Sequence, residues 1–185
     1  ITGQVPSNLL GSDAFQETDI VGISTPTTKW NHQITRAEEI PEIIAKAFYI
    51  ARSGRPGPVL IDITKDAQFE FFDFTYKKCD GVRSYEPVPK VQINKLEKAA
   101  ALINSSKKPL IVWGQGVLLA NAEKEFKLFI EKTGIPAAWT IMGVSAIDTD
   151  HPLNVGMVGM HGNYGPNILT NKCDCLLYTS PSPRD

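Results

Sequence analysis

The sequence has no excess of charge of either sign. Its 185 residues include 19 lysines and arginines and 20 aspartates and glutamates, which gives a formal net charge of −1. Because nucleic acids and anionic membrane surfaces are bound through a basic excess, we expect no nucleic-acid partner and no membrane partner. No apolar run approaches the roughly 18 residues that a membrane-spanning helix needs. The hydrophobic fraction of 42% still allows a buried core, so the composition indicates a folded globular protein.

Cysteine and histidine are also scarce, with three residues of each. Cys79, Cys173 and Cys175 are odd in number and lack the spacing of a zinc site, which is typical of free thiols in a reducing compartment. The histidines stand far apart and have no carboxylates at ligand spacing, so we expect no metal site in this chain. A Gly-x-Ser-x-Gly motif is absent, and nothing indicates a Ser-His-Asp triad.

The hydrophobic patterns predict an α/β fold in two units joined by a connection. Residues 1–34 are rich in predicted loops. Apolar residues at three- and four-residue spacing predict a helix over 35–53, with Thr35 and Glu38 as a capping box and Gly54 just beyond its end. Pro41 conflicts with a helix that begins at Thr35, and a later start or a mild kink would resolve the conflict.

A strand and an irregular segment follow this helix. The β-branched run 59–63 predicts a strand buried on both faces, as in a parallel sheet. Residues 64–89 lose the periodicity and contain a cluster of aromatic residues. We expect this segment to be an interdomain connection whose aromatic side chains pack on one domain or the other.

The second unit alternates helices and strands. Strands are predicted at 110–113 and 135–141, on either side of a helix at 123–133 that Gly134 caps. This spacing is that of a βαβ unit, whose strands are parallel. A glycine-rich loop and a short helix near Ile168 precede a last strand that begins at Cys173.

Gly114, Gln115 and Gly116 follow the first of these strands, at the edge where open α/β sheets bind ligands. The third glycine of a dinucleotide-binding motif is missing, so the pattern alone leaves both ligand binding and simple tight-turn glycines open. His161 lies between glycines, which permits close approach of a ligand to the backbone but equally suits a structural histidine.

Three cations stand at loop or strand-end positions, namely Lys29, Arg55 and Lys65. Lys65 follows the predicted strand 59–63 at its carboxyl end, where sites of α/β proteins form. The position alone leaves a binding role and a solvated surface lysine equally open.

Four segments in order carry a resemblance to a known family. They are Thr-Gly-Gln-Val-Pro at 2–6, Asp-Ala-Phe-Gln-Glu at 13–17, Ser-Gly-Arg-Pro-Gly-Pro at 53–58 and Gly-Met-His-Gly at 159–162. The third is shared among thiamine-diphosphate enzymes, whereas the second and fourth are more specific. Over residues 1 to about 174 the chain resembles the catalytic subunit of acetolactate synthase (acetohydroxyacid synthase).

The resemblance implies a piece of a longer, three-domain enzyme. Residues 1–66 are similar to the end of the pyrimidine-binding domain, which holds a parallel sheet, and 67–90 to an interdomain linker. Residues 91–174 resemble the start of a Rossmann-like central domain that holds FAD in this family. Residues 175–185 depart from the family pattern and resemble translated adapter sequence, so we expect them to be a non-native tail.

The resemblance also implies an activity for the parent enzyme. The family joins two pyruvates, or pyruvate and 2-ketobutyrate, with decarboxylation, in branched-chain amino-acid biosynthesis. It uses thiamine diphosphate, Mg²⁺ and FAD, and it forms homodimers or homotetramers that take up a small regulatory subunit. The family's catalytic glutamate and metal-binding motif have no counterpart here, so we expect this chain to be inactive and to bind no cofactor tightly. The implied location is the cytoplasm for a bacterial enzyme and an organelle for a eukaryotic one.

Site residues carry over position by position from the resemblance. Gln16 and Lys65 match catalytic residues of the family. Gln16 also matches the glutamine that approaches thiamine diphosphate. The residues that match the substrate channel are Pro6, Lys29, Arg55 and Lys65. The residues that match FAD contacts are Arg55, Gly114, Gln115, Gly116, Thr140, Ile141, Val158, Gly159, Met160 and His161.

Two alternatives remain open from the sequence. One is another thiamine-diphosphate and FAD enzyme, such as glyoxylate carboligase or pyruvate oxidase. The other is a stand-alone nucleotide-binding module that uses Gly114 to Gly116; this alternative gives no role to residues 1–66, which carry the densest family match.

Overall fold

The structure, a computed structural model, describes residues 1–178 of the chain. It divides into two compact units, Ile1–Lys90 and Val91–Asp185, and each is described by itself. Among the described residues, no helix combines the length and the apolar character that crossing a bilayer requires.

The first unit is built on a three-stranded parallel sheet with the strand order β1-β3-β2. Its strands are β1 (Thr2–Gln4), β2 (Trp30–Ile34) and β3 (Val59–Thr64). Its α-helices are α1 (Ile20–Ser24), α2 (Ile40–Arg52) and α3 (Lys65–Phe69), and short 3-10 turns lie at Ser7–Leu9 and Ala37–Glu39. Strand β3 matches the predicted strand, whereas β1, α1 and β2 lie in the stretch that we predicted to be rich in loops.

Helix α2 begins later than the predicted start at Thr35. Arg36 is extended, and the 3-10 turn Ala37–Glu39 has no side-chain cap, so the predicted capping box does not form. The later start places Pro41 in the first turn of α2, where a missing N–H leaves no hydrogen bond unmade. Most of the predicted apolar stripe of α2 is packed, with Ile43 and Ile44 against the buried cluster that contains Ile34 and Ile61. Phe48, which the same spacing placed in the stripe, is instead 64% exposed.

A buried carboxylate ties the three strands of this sheet together. Asp62 of β3 is 0% exposed. It accepts hydrogen bonds from Thr2 Oγ1 at 2.8 Å, from Gln33 Nε2 at 2.9 Å and from Gln4 Nε2 at 3.3 Å. Since a buried charge needs such partners, Asp62 is a structural centre of the first unit.

The prediction that the aromatic residues of 64–89 pack on a domain is wrong for the cluster that begins in α3. Phe71 is 99% exposed, and exposure is also high for Phe69, Phe74 and Tyr76. The segment alternates these rings with acidic and polar residues and forms no strand or helix after α3 that would present one face to a core.

The second unit is built on a four-stranded parallel sheet with the strand order β6-β5-β4-β7. Its strands are β4 (Pro109–Trp113), β5 (Ala137–Trp139), β6 (Asn154–Met157) and β7 (Cys175–Tyr178). Its helices are α4 (Ile93–Ser105), α5 (Gln115–Leu119), α6 (Glu123–Thr133) and α7 (Tyr164–Lys172), with a 3-10 turn at Ile141–Gly143.

The predicted βαβ unit is confirmed, with parallel β4 and β5 on either side of α6. Helix α6 has the predicted bounds, and it ends at Gly134 because that residue adopts the left-handed conformation with φ +66°. The buried Ile130 of α6 packs in one core cluster with Ile111 and Trp113 of β4.

Three boundaries in this unit differ from the predictions. The strand predicted over 135–141 is limited to Ala137–Trp139, because the chain turns into the 3-10 segment Ile141–Gly143. The segment that we predicted to be a glycine-rich loop contains strand β6. The last strand begins at Cys175 rather than Cys173, and it pairs with β4 through Tyr178. The rest of the predicted tail, residues 179–185, lies outside the described residues.

Candidate functional site

The carboxyl ends of three neighbouring strands bring the predicted residues of the second unit to one edge. Gly114, Gln115 and Gly116 follow β4, Thr140 and Ile141 follow β5, and the segment 158–161 follows β6. Two backbone hydrogen bonds join the loops: Thr140 N–H donates to Trp113 O at 2.9 Å, and Val158 N–H donates to Trp139 O at 2.9 Å. The nine residues that the sequence assigned to a cofactor in this unit therefore share the ligand-binding edge of an open α/β sheet.

The glycines after β4 leave the backbone of this edge accessible. A Cβ at Gly114 would lie 3.0 Å from Thr140 Oγ1, so this position sits tightly against the loop after β5. A Cβ at Gly116 would meet no atom within 4 Å, which means that open space lies over this part of the backbone. The buried side chain of Trp113 holds the 3-10 segment after β5, because its Nε1 donates to Gly143 O at 2.8 Å.

The loop after β6 projects two side chains from the same edge. Met160 is 94% exposed, and His161 is exposed beside it. Two asparagines that the sequence analysis did not identify, Asn163 and Asn167, are hydrogen-bonded to the backbone of this loop. Neither asparagine belongs to a sequence pattern from which its contact with this loop could have been predicted.

In the first unit, Pro6 and Lys65 lie together at the carboxyl edge of the sheet. Pro6 follows β1, and the exposed Lys65 is the first residue after β3. The next residues of the two loops are joined, because Ser7 N–H donates to Asp66 Oδ1 at 3.0 Å and the Ser7 hydroxyl donates to Asp66 Oδ2. These hydrogen bonds, that of the hydroxyl above all, hold the pKa of the Asp66 carboxyl well below its usual range.

Lys29 and Arg55 lie at the opposite edge, before β2 and before β3. The six residues of β3 separate the two edges by about 20 Å. Lys29 Nζ donates to Ile50 O at 2.6 Å and to Ser53 O at 2.5 Å, so its ammonium binds the carbonyl end of α2. The four predicted channel residues thus form two separate pairs within this unit.

The same ammonium lies against the ring of Tyr85. Lys29 Nζ is 5.1 Å from the ring centroid, and the Tyr85 hydroxyl donates to Ser53 O at 3.0 Å. Hydrogen bonding from Lys29 lowers the pKa of the Tyr85 hydroxyl. Lys29 therefore has a structural role that its position in the sequence did not reveal.

Gln16 lies on a loop that is closed by the neighbouring carboxylate. Glu17 accepts hydrogen bonds from the backbone N–H of Gly11 and, at 3.0 Å, from that of Ala14. The bond from Gly11 makes the largest contribution to lowering the pKa of Glu17. Gln16 is exposed with φ +68°, and Phe15 beside it is 90% exposed, so the loop holds both side chains outward.

Within residues 1–178, no group of three or more His, Cys, Asp or Glu side chains is arranged to hold a metal ion. In the second unit, the groups open to a ligand are the backbone and the short side chains at the carboxyl edge of the sheet.

Comparisons with known proteins agree on one group of relatives. Residues 96–180 match the family described as thiamine pyrophosphate enzyme, central domain. The chain is 44% identical over 177 residues to the acetolactate synthase large subunit of Corynebacterium glutamicum, covering 96% of this chain and 28% of that protein. It is 40% identical to the acetolactate synthase isozyme 1 large subunit of Escherichia coli, covering 96% of this chain and 31% of that protein.

One solved structure supports the same fold. It is the X-ray structure of a protein assigned as a thiamin diphosphate-dependent enzyme from Mycobacterium smegmatis, with a TM-score of 0.73 and 25% sequence identity. The likeness covers 95% of this chain and 33% of the solved chain. The present chain thus spans about three tenths of the length of the curated relatives described above.

Proposed function

We propose that the parent of this chain is an acetolactate synthase of the thiamine-diphosphate enzyme family. Two findings support this: residues 96–180 match the family's central domain, and the chain is similar to acetolactate synthase large subunits over nearly its whole length. The parent enzyme condenses two pyruvates, or pyruvate and 2-ketobutyrate, with loss of carbon dioxide. The identity of 44% over nearly the whole chain supports this reaction over those of glyoxylate carboligase and pyruvate oxidase.

The observation that carries a cofactor role for this chain is the shared edge formed by the loops after β4, β5 and β6. The ligand is FAD, an elongated dinucleotide that needs backbone groups and little side-chain bulk along its length. Gly116, over which there is open space, fits a ligand that approaches the backbone, and Gln115, Thr140 and His161 offer polar groups beside it. Arg55 is a further FAD contact by resemblance alone.

Thiamine diphosphate and the keto acid are assigned to the first unit. Thiamine diphosphate, when bound, supplies an electron sink for decarboxylation of a 2-keto acid. Gln16 approaches this cofactor, and its outward position on the Glu17-closed loop supports that role. The exposed Lys65 beside Pro6 supplies a positive charge that attracts the carboxylate of the keto acid. Lys29 and Arg55 complete the channel only by resemblance.

The remaining assignments concern the parent protein. Residues 1–66 are the end of the pyrimidine-binding domain, 67–90 the linker and 91–174 the start of the central domain, and the division of the structure at Lys90 and Val91 supports this order. Mg²⁺ binds elsewhere in the parent enzyme. The catalytic subunit pairs with a small regulatory subunit, and it works in the cytoplasm of a bacterium or in an organelle of a eukaryote.

The test is the product that the complete reading frame makes from pyruvate. The purified protein, supplied with thiamine diphosphate, Mg²⁺ and FAD, is expected to release acetolactate and carbon dioxide. Lys65→Ala is expected to raise KM for pyruvate by about tenfold, which corresponds to the free energy of one lost charge-assisted hydrogen bond. Lys124→Ala, an exposed lysine of α6 in the other unit, is the matched control and leaves KM unchanged. Condensation of glyoxylate instead of pyruvate would favour the glyoxylate carboligase alternative and contradict the proposal.

A further inference from the structure

We propose that Asn167 is a positioning residue, whose side-chain amide holds the loop after β6 so that Met160 and His161 project from the carboxyl edge of the second sheet. Only the ligand of that edge, FAD, rests on the proposed function. The positioning itself is a property of this chain and is tested separately.

The contact between Asn167 and the loop uses both ends of the amide. Gly159 N–H donates to Asn167 Oδ1 at 3.0 Å, and Asn167 Nδ2 donates to Gly159 O at 2.9 Å. A carboxamide presents its donor and acceptor in one plane, as a peptide group does. The two hydrogen bonds between Asn167 and Gly159 therefore resemble those that the backbone of a neighbouring strand would make. Gly159 has φ +110°, a conformation that side chains disfavour, and the two bonds fix the backbone there.

Asn163 closes the base of the same loop. Met157 N–H donates to Asn163 Oδ1 at 2.9 Å, and Asn163 N–H donates to Met157 O at 2.8 Å. Within the loop, Gly162 N–H donates to Gly159 O at 3.0 Å. The base is therefore fixed at Met157, and Asn167 fixes the middle of the loop from helix α7.

The tip of the loop has no apolar anchor that could replace these bonds. Met160 is almost fully exposed, and Gly159 and His161 are exposed on either side of it. A loop of this kind keeps one conformation only through its polar contacts, because little apolar area is buried to hold it. The side-chain amide of Asn167 therefore holds the loop after β6 in one conformation, and without it we expect this loop to be mobile.

The test compares Asn167→Ala and Asn167→Asp with the matched control Asn171→Ala. Asn171 is an exposed asparagine of α7 that donates to Asn167 O at 3.1 Å and does not contact the loop. Amide hydrogen exchange and the proton shift of the Gly159 amide are measured by NMR on the isotope-labelled chain. Asn167→Ala is expected to speed exchange of the Gly159 amide by about tenfold or more, while amides of α6 keep their rates.

Asn167→Asp separates the two bonds of the pair. Its carboxylate still accepts from Gly159 N–H but cannot donate to Gly159 O, so the amide keeps its downfield shift and regains part of its protection. Asn171→Ala is expected to leave both readouts unchanged. Unchanged exchange at Gly159 in Asn167→Ala would overturn the proposal, and so would an equal increase across the whole second unit.

A titration with FAD gives the separate answer about the ligand. In the wild-type chain FAD is expected to shift the amides of both Gly116 and Gly159, and in Asn167→Ala the shift at Gly159 is lost while that at Gly116 remains. If FAD shifts neither amide in the wild-type chain, the assignment of FAD to this edge fails, whereas the exchange rates still decide the role of Asn167.

Discussion

The backbone N–H of Thr140 donates to the carbonyl oxygen of Trp113 at 2.9 Å, which joins the loop after β5 to the last residue of β4. A Cβ at Gly114, the next residue, would stand 3.0 Å from Thr140 Oγ1. Residues that lie 26 and 27 positions apart in the sequence thus form one surface, as the carboxyl ends of adjacent parallel strands do. This surface is the proposed flavin site.

Gly116→Val is expected to block that surface without harming the fold. The Cβ position at Gly116 has open space around it, so the free energy of unfolding should change by only about 0.5 kcal/mol. Affinity for FAD, measured by the amide shifts on titration, should fall by about tenfold or more because the added methyl groups occupy the ligand's space. Gly81→Val, at an open position in the first unit, is the control and should leave the affinity as it is.

Gly162→Ala and Gly165→Ala form a pair with opposite outcomes. A Cβ at Gly162 would lie 2.7 Å from the carbonyl carbon of Val158, and it would press on the carbonyl oxygen of Met157 as well. We expect a loss of about 1–3 kcal/mol in urea unfolding of the second unit. Gly165 lies in α7 with no atom near its Cβ position, so alanine there should stabilise by up to about 1 kcal/mol. Equal effects at the two positions would contradict the packing described for the loop.

Asp62→Ala is expected to destabilise the first unit by about 2–4 kcal/mol, because Thr2, Gln4 and Gln33 would lose their shared acceptor. Chemical denaturation followed by the indole N–H resonance of Trp30, in β2 of the same sheet, measures this loss. Asp73→Ala, an exposed aspartate in the same unit, is the control and should shift the midpoint little. A loss no larger than that of Asp73→Ala would show that the three strands do not depend on the buried carboxylate.

Acid should open the loop that carries Gln16. The pKa of Glu17 is lowered from its ordinary 4.5, so the folded chain holds the carboxylate ionised where the unfolded chain begins to bind a proton. The contribution of Glu17 is therefore complete above pH 4.5 and is lost as the pH falls through the folded pKa. The Ala14 amide resonance should move in that acid range, and in Glu17→Gln this titration should vanish. A titration that persists in Glu17→Gln would assign it to another group.

Much of the second unit follows from local patterns, whereas the sheets depend on contacts between distant segments. Helix α6 has a clear apolar stripe and ends at Gly134, and both signals are local. Strand β2 contains Asn31, His32 and Gln33 in its centre, and its extended form depends on pairing with β3 rather than on an apolar alternation. Such pairing is invisible in a single sequence.

The candidate site divides in the same way. The glycines after β4 were recognisable because they stand between a predicted strand and a predicted helix, and Lys65 was recognisable from its place after β3. The role of Lys29 at the end of α2 required the distances to Ile50 and Ser53, and no spacing in the sequence indicates them. The amide pair between Asn167 and Gly159 is equally a product of tertiary structure.

The most direct test of the central claim is a titration of the isotope-labelled chain with FAD, followed residue by residue through its amide shifts. We expect weak, saturable shifts at Gly116, Thr140 and Gly159, one residue in each of the three loops of the carboxyl edge, with ADP reproducing only part of them. No saturable shift at this edge, or shifts confined to another surface, would contradict the assignment of a flavin site to this unit.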